Sequence, residues 1–174
     1  MTYDKIDRFL MVLIVFFSSW LLCSGSPYRP EIKAFSGWGP VLPGVTGRII
    51  MEASRDAGVP YDVGLFLALA ESSGDPIVTK RVPGGRGVDQ GIFQLNTRWH
   101  GDFVWRFNGG KPFSPLDVRD SAWIAMRYLA ALYREFGSWR KALEAYNAGA
   151  DCVRSGEIPK STRNYANWIL NGGF

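Results

Sequence analysis

The chain has 174 residues, 47% of them apolar and 21% charged, which suits one globular domain with a core of its own. A formal charge of +4, spread without any run of Lys and Arg, excludes nucleic-acid binding through a basic patch and leaves only a mild attraction to polyanionic surfaces. One histidine and two separated cysteines exclude a zinc site of ordinary ligand spacing, so neither a metal nor a cofactor is expected.

Residues 9–22 are apolar except for Ser18 and Ser19, too short a run for an ordinary membrane span and about the length of a signal-peptide core. Residues 1–25 therefore read as an export signal or an N-terminal membrane anchor, with lipidation at Cys23 as a third outcome. Four Pro and three Gly across residues 26–44, with no helical period, read as a linker. Residues 45–174 read as one domain. Its location is expected to be the periplasm or cell envelope. With Cys23 in the export segment, Cys152 is expected to be a free structural thiol.

Within the domain, residues 45–57 predict a helix closed by Gly58 and Pro60. Residues 61–72 predict a second helix, apolar on nearly every face and so central and buried. Residues 74–89 are polar and Gly-rich, a loop or a small β-hairpin. "GGRG" at 84–87 and "GGKP" at 109–112 lack the Lys-Ser/Thr ending of a phosphate loop. A short helix is expected at 91–99. A long one is expected at 114–136, with Ser114 as N-cap, Pro115 in the first turn and Gly137 closing it. Ser138 is expected to cap a further helix along Trp139, Ala142, Leu143 and Tyr146, and a last helix covers 162–170. The fold class is mainly α, with a hairpin as one lip of a cleft.

The chemistry starts at residues 63–71, where an apolar run ends in Glu71 and then breaks in Ser-Ser-Gly-Asp-Pro. A charge beside buried aliphatics is costly, so this carboxyl favours its protonated form at neutral pH, as a general acid requires. From this helix alone, a solvated Glu at a helix end remains the alternative. His100, the one histidine, has no Ser or Cys motif beside it, and a surface or capping role is expected. Trp99 and Trp105 are candidates for stacking on sugars, with core packing as the default.

Three motifs stand in order: "ALAESSGDP" at 68–76, "DQGIFQLN" at 89–96 and "ALEAYNAG" at 142–149. Together they resemble the lysozyme-like superfamily, and most closely the SLT-type lytic transglycosylases that cut bacterial peptidoglycan. The resemblance runs from about residue 45 to 170 and implies a lysozyme-like fold and a peptidoglycan glycan strand as partner. It implies that Glu71 is catalytic, first as acid and then as base. By the same resemblance Ser72, Asp89, Gln94, Tyr146, Asn147 and Tyr165 are substrate-binding candidates, with the Tyr146 hydroxyl expected on the carboxyl or the substrate. Ile92-Phe93 replaces the Leu-Met that the family commonly carries before Gln94. Asp89 departs further. "DQGIFQLN" is also similar to animal-type lysozymes, in which an Asp here is the second catalytic carboxylate. A muramidase using Glu71 and Asp89 is thus the alternative activity, and a non-catalytic glycan-binding module is the second alternative.

Overall fold

The computed structural model describes Leu42 and residues 44–173; the signal or anchor expected at 1–25, and nearly all of the linker at 26–44, lie outside them. In chain order the elements are α1 (Gly44–Ala57), α2 (Tyr61–Ser72), β1 (Thr79–Arg81), β2 (Val88–Gln90), β3 (Leu95–Asn96), α3 (His100–Phe107), α4 (Val118–Phe136), α5 (Trp139–Ala148), α6 (Ala150–Ser155) and α7 (Lys160–Leu170). The domain is mainly α with one small antiparallel sheet, ordered β1-β2-β3. Among the described residues no helix is long and apolar enough to cross a membrane.

α2 lies at the centre because, between Asp62 in its first turn and Glu71 in its last, it carries no polar side chain. Leu67 and Ala68 are fully buried, with Val63 and Leu69 nearly so. α1 and α7 pack against it, while α4 packs on α1 and α5, and α5 on α7. Ile50, Ile92, Phe93, Ile124, Met126, Leu129, Leu143 and Ile169 fill the space between. Each such side chain contributes roughly 1.5–3 kcal/mol by leaving water.

Three expectations need correction. First, residues 91–96 are not a helix, and Thr97–Trp99 make only a single 3-10 turn. Gly91 and Gln94 hold φ of 75° and 48°, both left-handed, and two such residues within four positions cannot continue a right-handed helix. They make a turn, closed by the Gln94 N–H on the Gly91 carbonyl at 3.0 Å, which returns β3 alongside β2. Gly91 is required for a second reason: a β-carbon there would run into the Pro115 carbonyl. Second, the long helix starts at Val118, not Ser114. Asp117 Oδ1 accepts from the Arg119 and Asp120 N–H groups at 2.9 and 3.0 Å, satisfying two open donors where the sequence offered Ser114. Ser114 instead begins a turn, closed by the Asp117 N–H on its carbonyl. Third, Cys152 is buried and disulfide-bonded; among the described residues no cysteine is free. α3 and α6 lie where the sequence reading named no helix.

Candidate active site

Glu71 stands in the last turn of α2, one turn beyond Leu67 and Ala68. Burial is the main reason its carboxyl is pushed from the ordinary 4.5 up to about 7; the Tyr165 hydrogen bond opposes the rise, the Asp89 charge adds to it and Lys80 opposes it. Its place at a helix C-terminus, the negative end of the dipole, acts in the same direction as burial. Tyr165, brought in by α7, donates its hydroxyl to Glu71 Oε1. Burial, and then the charge of Glu71, hold the Tyr165 phenol well above its ordinary 10, so it remains a donor whatever the state of the carboxyl.

The sheet supplies the other charges. Its register sets Lys80 opposite Asp89, and Asp89 opposite Asn96, one residue from each strand in a row. Residues opposite one another share a face of the sheet, so the three side chains are neighbours. Asn96 Nδ2 donates to Asp89 Oδ1 at 2.7 Å. Burial raises the Asp89 pKa; the Asn96 bond and the Lys80 ammonium both oppose the rise. Asp89 is near enough to Glu71 for its charge to be felt there, so the two carboxyl groups share one site.

The remaining candidates brace this site. The Ser72 hydroxyl is buried; it is shared between the carbonyls of Ala68 at 3.1 Å and Ile92 at 2.9 Å, and accepts from the Gly74 N–H at 3.1 Å. It joins the end of α2 to the turn before β3. Gln94 Nε2 donates to the carbonyls of Gly91 at 2.9 Å and Val78 at 3.2 Å, closing that turn against the loop before β1. Tyr146, on α5, donates to the Phe93 carbonyl at 2.9 Å, and its ring meets Tyr128 at 5.4 Å. Of the two tyrosines, then, Tyr165 holds the carboxyl and Tyr146 holds the turn. Burial, followed by the Glu71 charge, keeps the Tyr146 phenol protonated. Asn147 Oδ1 accepts from the buried Thr162 hydroxyl at 2.8 Å, which fixes α5 to α7 near the start of the helix that carries Tyr165.

Trp99 is half-buried against the core, and His100 opens α3 with its ring 5.0 Å from Phe113. Trp105, expected in the core by default, is instead exposed. Sequence reasoning missed Lys80, Asn96 and the Phe93 carbonyl. Asn96 was inside a quoted motif, but its tie to Asp89 follows from strand register, which becomes visible only once 91–94 is known to be a turn.

Chemically, the arrangement is a carboxylic acid that is neutral up to about pH 7, beside a phenol donor and a second carboxylate held by an amide, with the Lys80 ammonium on the facing strand. Such a group can give a proton at neutral pH and take one back. The model of the family described as the transglycosylase SLT domain matches residues 48–169. A similar solved structure is the 70 kDa soluble lytic transglycosylase from Escherichia coli, with 25% identity and a TM-score of 0.61 over 72% of this chain. This chain spans 23% of that longer one. No curated protein gives a significant match. The helices, the sheet beside α2 and the family match together place the fold as lysozyme-like, and the chain belongs to the transglycosylase SLT domain family.

Proposed function

We propose that this protein is a peptidoglycan lytic transglycosylase. It cleaves the β-1,4 bond between N-acetylmuramic acid and N-acetylglucosamine and leaves a 1,6-anhydromuramic end. The observation that carries the reading is the Glu71 carboxyl, pushed up to about 7 and hydrogen-bonded by Tyr165, on a chain of the SLT family. Neutral Glu71 gives its proton to the bridging oxygen, and the bond to the anomeric carbon breaks with its electron pair on the departing sugar. The 2-acetamido group of the muramic residue supports the electron-poor carbon. The Glu71 carboxylate then takes the proton of the muramic 6-hydroxyl, whose oxygen closes on the anomeric carbon. Glu71 ends as it began, and no water is consumed. Tyr165 and Asp89 adjoin the reacting sugar, while Ser72, Gln94, Tyr146 and Asn147 hold the walls that place it. The substrate lies outside the cytoplasmic membrane, so the apolar segment at 9–22 serves export or anchoring.

One observation favours a second reading. Asp89 shares the site with Glu71 and is held by Asn96, as the second carboxylate of a muramidase would be. Mass spectrometry of the fragments released from purified peptidoglycan, beside Glu71→Gln, separates the readings. Anhydromuramic ends that vanish in Glu71→Gln are the expected result. Reducing muramic ends would make the protein a hydrolase and Asp89 its second catalytic group. Binding without release would leave a glycan-binding module.

A further inference from the structure

Trp105 is the most exposed large apolar side chain among the described residues, at 77%, and the proposed reaction makes no use of it. Its placement is nonetheless constructed. α3 turns Phe103 and Phe107 inward, where they meet Tyr128 at 5.5 and 5.8 Å, and this leaves Trp105 on the outward face. Beyond the helix the chain folds back beneath the ring. The Gly110 N–H bonds the Val104 carbonyl at 2.9 Å, and the Asn108 amide bonds the carbonyls of Lys111 at 2.8 Å and Pro112 at 3.3 Å. Gly110 lies against the six-membered ring of the indole: a β-carbon there would come 3.0 Å from Cζ3. One side of the ring is thus seated on backbone, and the rest is open to solvent. Gly101, four residues before Trp105 on the same helix face, places no side chain over it. Asp102, exposed and three residues before Trp105, shares that face, while the Arg106 guanidinium lies over the Phe107 ring, 5.5 Å from its centroid.

A flat apolar face with hydrogen-bonding groups at its edge matches a pyranose ring, whose C–H face stacks while its hydroxyl and N-acetyl groups reach the rim. Asp102 is on that face, so an anionic lipid surface would meet a like charge there. The 3-10 turn at Thr97–Trp99 and the start of α3 run from Asn96 to Trp105, which puts the indole no more than about 15 Å along the chain axis from the wall that holds Asp89.

The geometry points to a second glycan-contact site, outside the cleft, in which Trp105 on its Gly110 seat stacks on an N-acetylhexosamine of a glycan strand, with Asp102 engaging its polar groups. This rests on the reading of the substrate as a glycan strand. The test is co-sedimentation of the full chain with purified peptidoglycan, carrying Glu71→Gln so that the polymer stays intact. Adding Trp105→Ala is expected to raise the apparent Kd roughly fivefold to tenfold, with Trp105→Phe in between. Met51→Ala, which removes an exposed apolar side chain from α1, is expected to bind like the parent. Thermal midpoints of all four proteins confirm that each is folded. Equal retention of Trp105→Ala and its parent overturns the proposal. So does a loss confined to vesicles of anionic phospholipid, which assigns the ring to a membrane. The two readings fail separately: if Trp105→Ala weakens binding but the protein bearing Glu71 releases no fragments, the contact stands and the cleavage reading falls.

Discussion

Replacing Glu71 by Gln is expected to change how stability depends on pH, without any substrate present. The Glu71 carboxyl titrates at about 7 in the folded protein, against an ordinary 4.5 once unfolded. Between those values the native state holds a proton that the unfolded chain has lost, so stability falls as pH rises. At about 1.36 kcal/mol per pH unit the full loss is about 3 kcal/mol, absent below pH 4.5 and complete above about 7. A glutamine at this position holds no titrating proton, and its amide oxygen accepts the same bond from Tyr165. Glu71→Gln is therefore expected to match the wild type near pH 4 and to exceed it by about 3 kcal/mol at pH 8. The other carboxylates titrate in both proteins and cancel in the difference. Urea denaturation at one-unit intervals from pH 4 to 8, with one m-value for both proteins, measures it. Two stability curves that run parallel would refute the reasoning, because they would mean that Glu71 is charged at no penalty in the folded state.

Tyr165→Phe removes the hydrogen bond that opposes the rise in Glu71, so the alkaline limb of the lytic rate is expected to move above about 7, with kcat falling about tenfold; a limb that stays or moves down contradicts the assignment. Asp89→Asn removes a charge that raises Glu71 and is expected to move the limb the other way while anhydromuramic ends are still made. Complete loss of cleavage in that variant would instead support the muramidase. Gly91→Ala meets both a positive φ and the Pro115 carbonyl, and is expected to destabilise the domain by about 3 kcal/mol or more. Its thermal midpoint checks this, and an unchanged value would mean that the 91–94 turn is not as described.

Much of the helical frame was legible, since a buried helix and its stops are written locally. The apolar run before Glu71, Gly58 and Gly137 each act within a few residues of themselves. What was not legible depends on contacts across the chain. Residues 91–99 carry an apolar Ile92-Phe93-Leu95 pattern that a helix or a strand would satisfy equally. Neither forms over its length: 91–94 become a turn into the short strand β3, because Gly91 must lie under Pro115 and its N–H must reach Val78. Likewise Ser114 and Asp117 are both good caps by type. Asp117 prevails because its carboxylate satisfies two N–H groups at once.

The same distinction applies inside the site. Motif matching selects residues by type, and Ser72, Gln94, Tyr146 and Asn147 are all of the type that binds sugars. Their protein partners, however, are the Ala68, Ile92, Val78, Gly91 and Phe93 carbonyls and the Thr162 hydroxyl. These bonds make one connected frame. Ser72 ties the helix carrying the acid to the turn. Tyr146 ties the turn to α5. Asn147 ties α5 to α7, and Tyr165 on α7 returns to Glu71. The loop from Glu71 through four elements and back explains why polar residues flank an acid whose hydrogen-bond partner among the described residues is one hydroxyl. A group that must both give and accept a proton within one turnover benefits from walls that do not move between the two steps. Fixing those walls through buried bonds to carbonyls leaves the carboxyl itself in the surroundings that keep it neutral near pH 7.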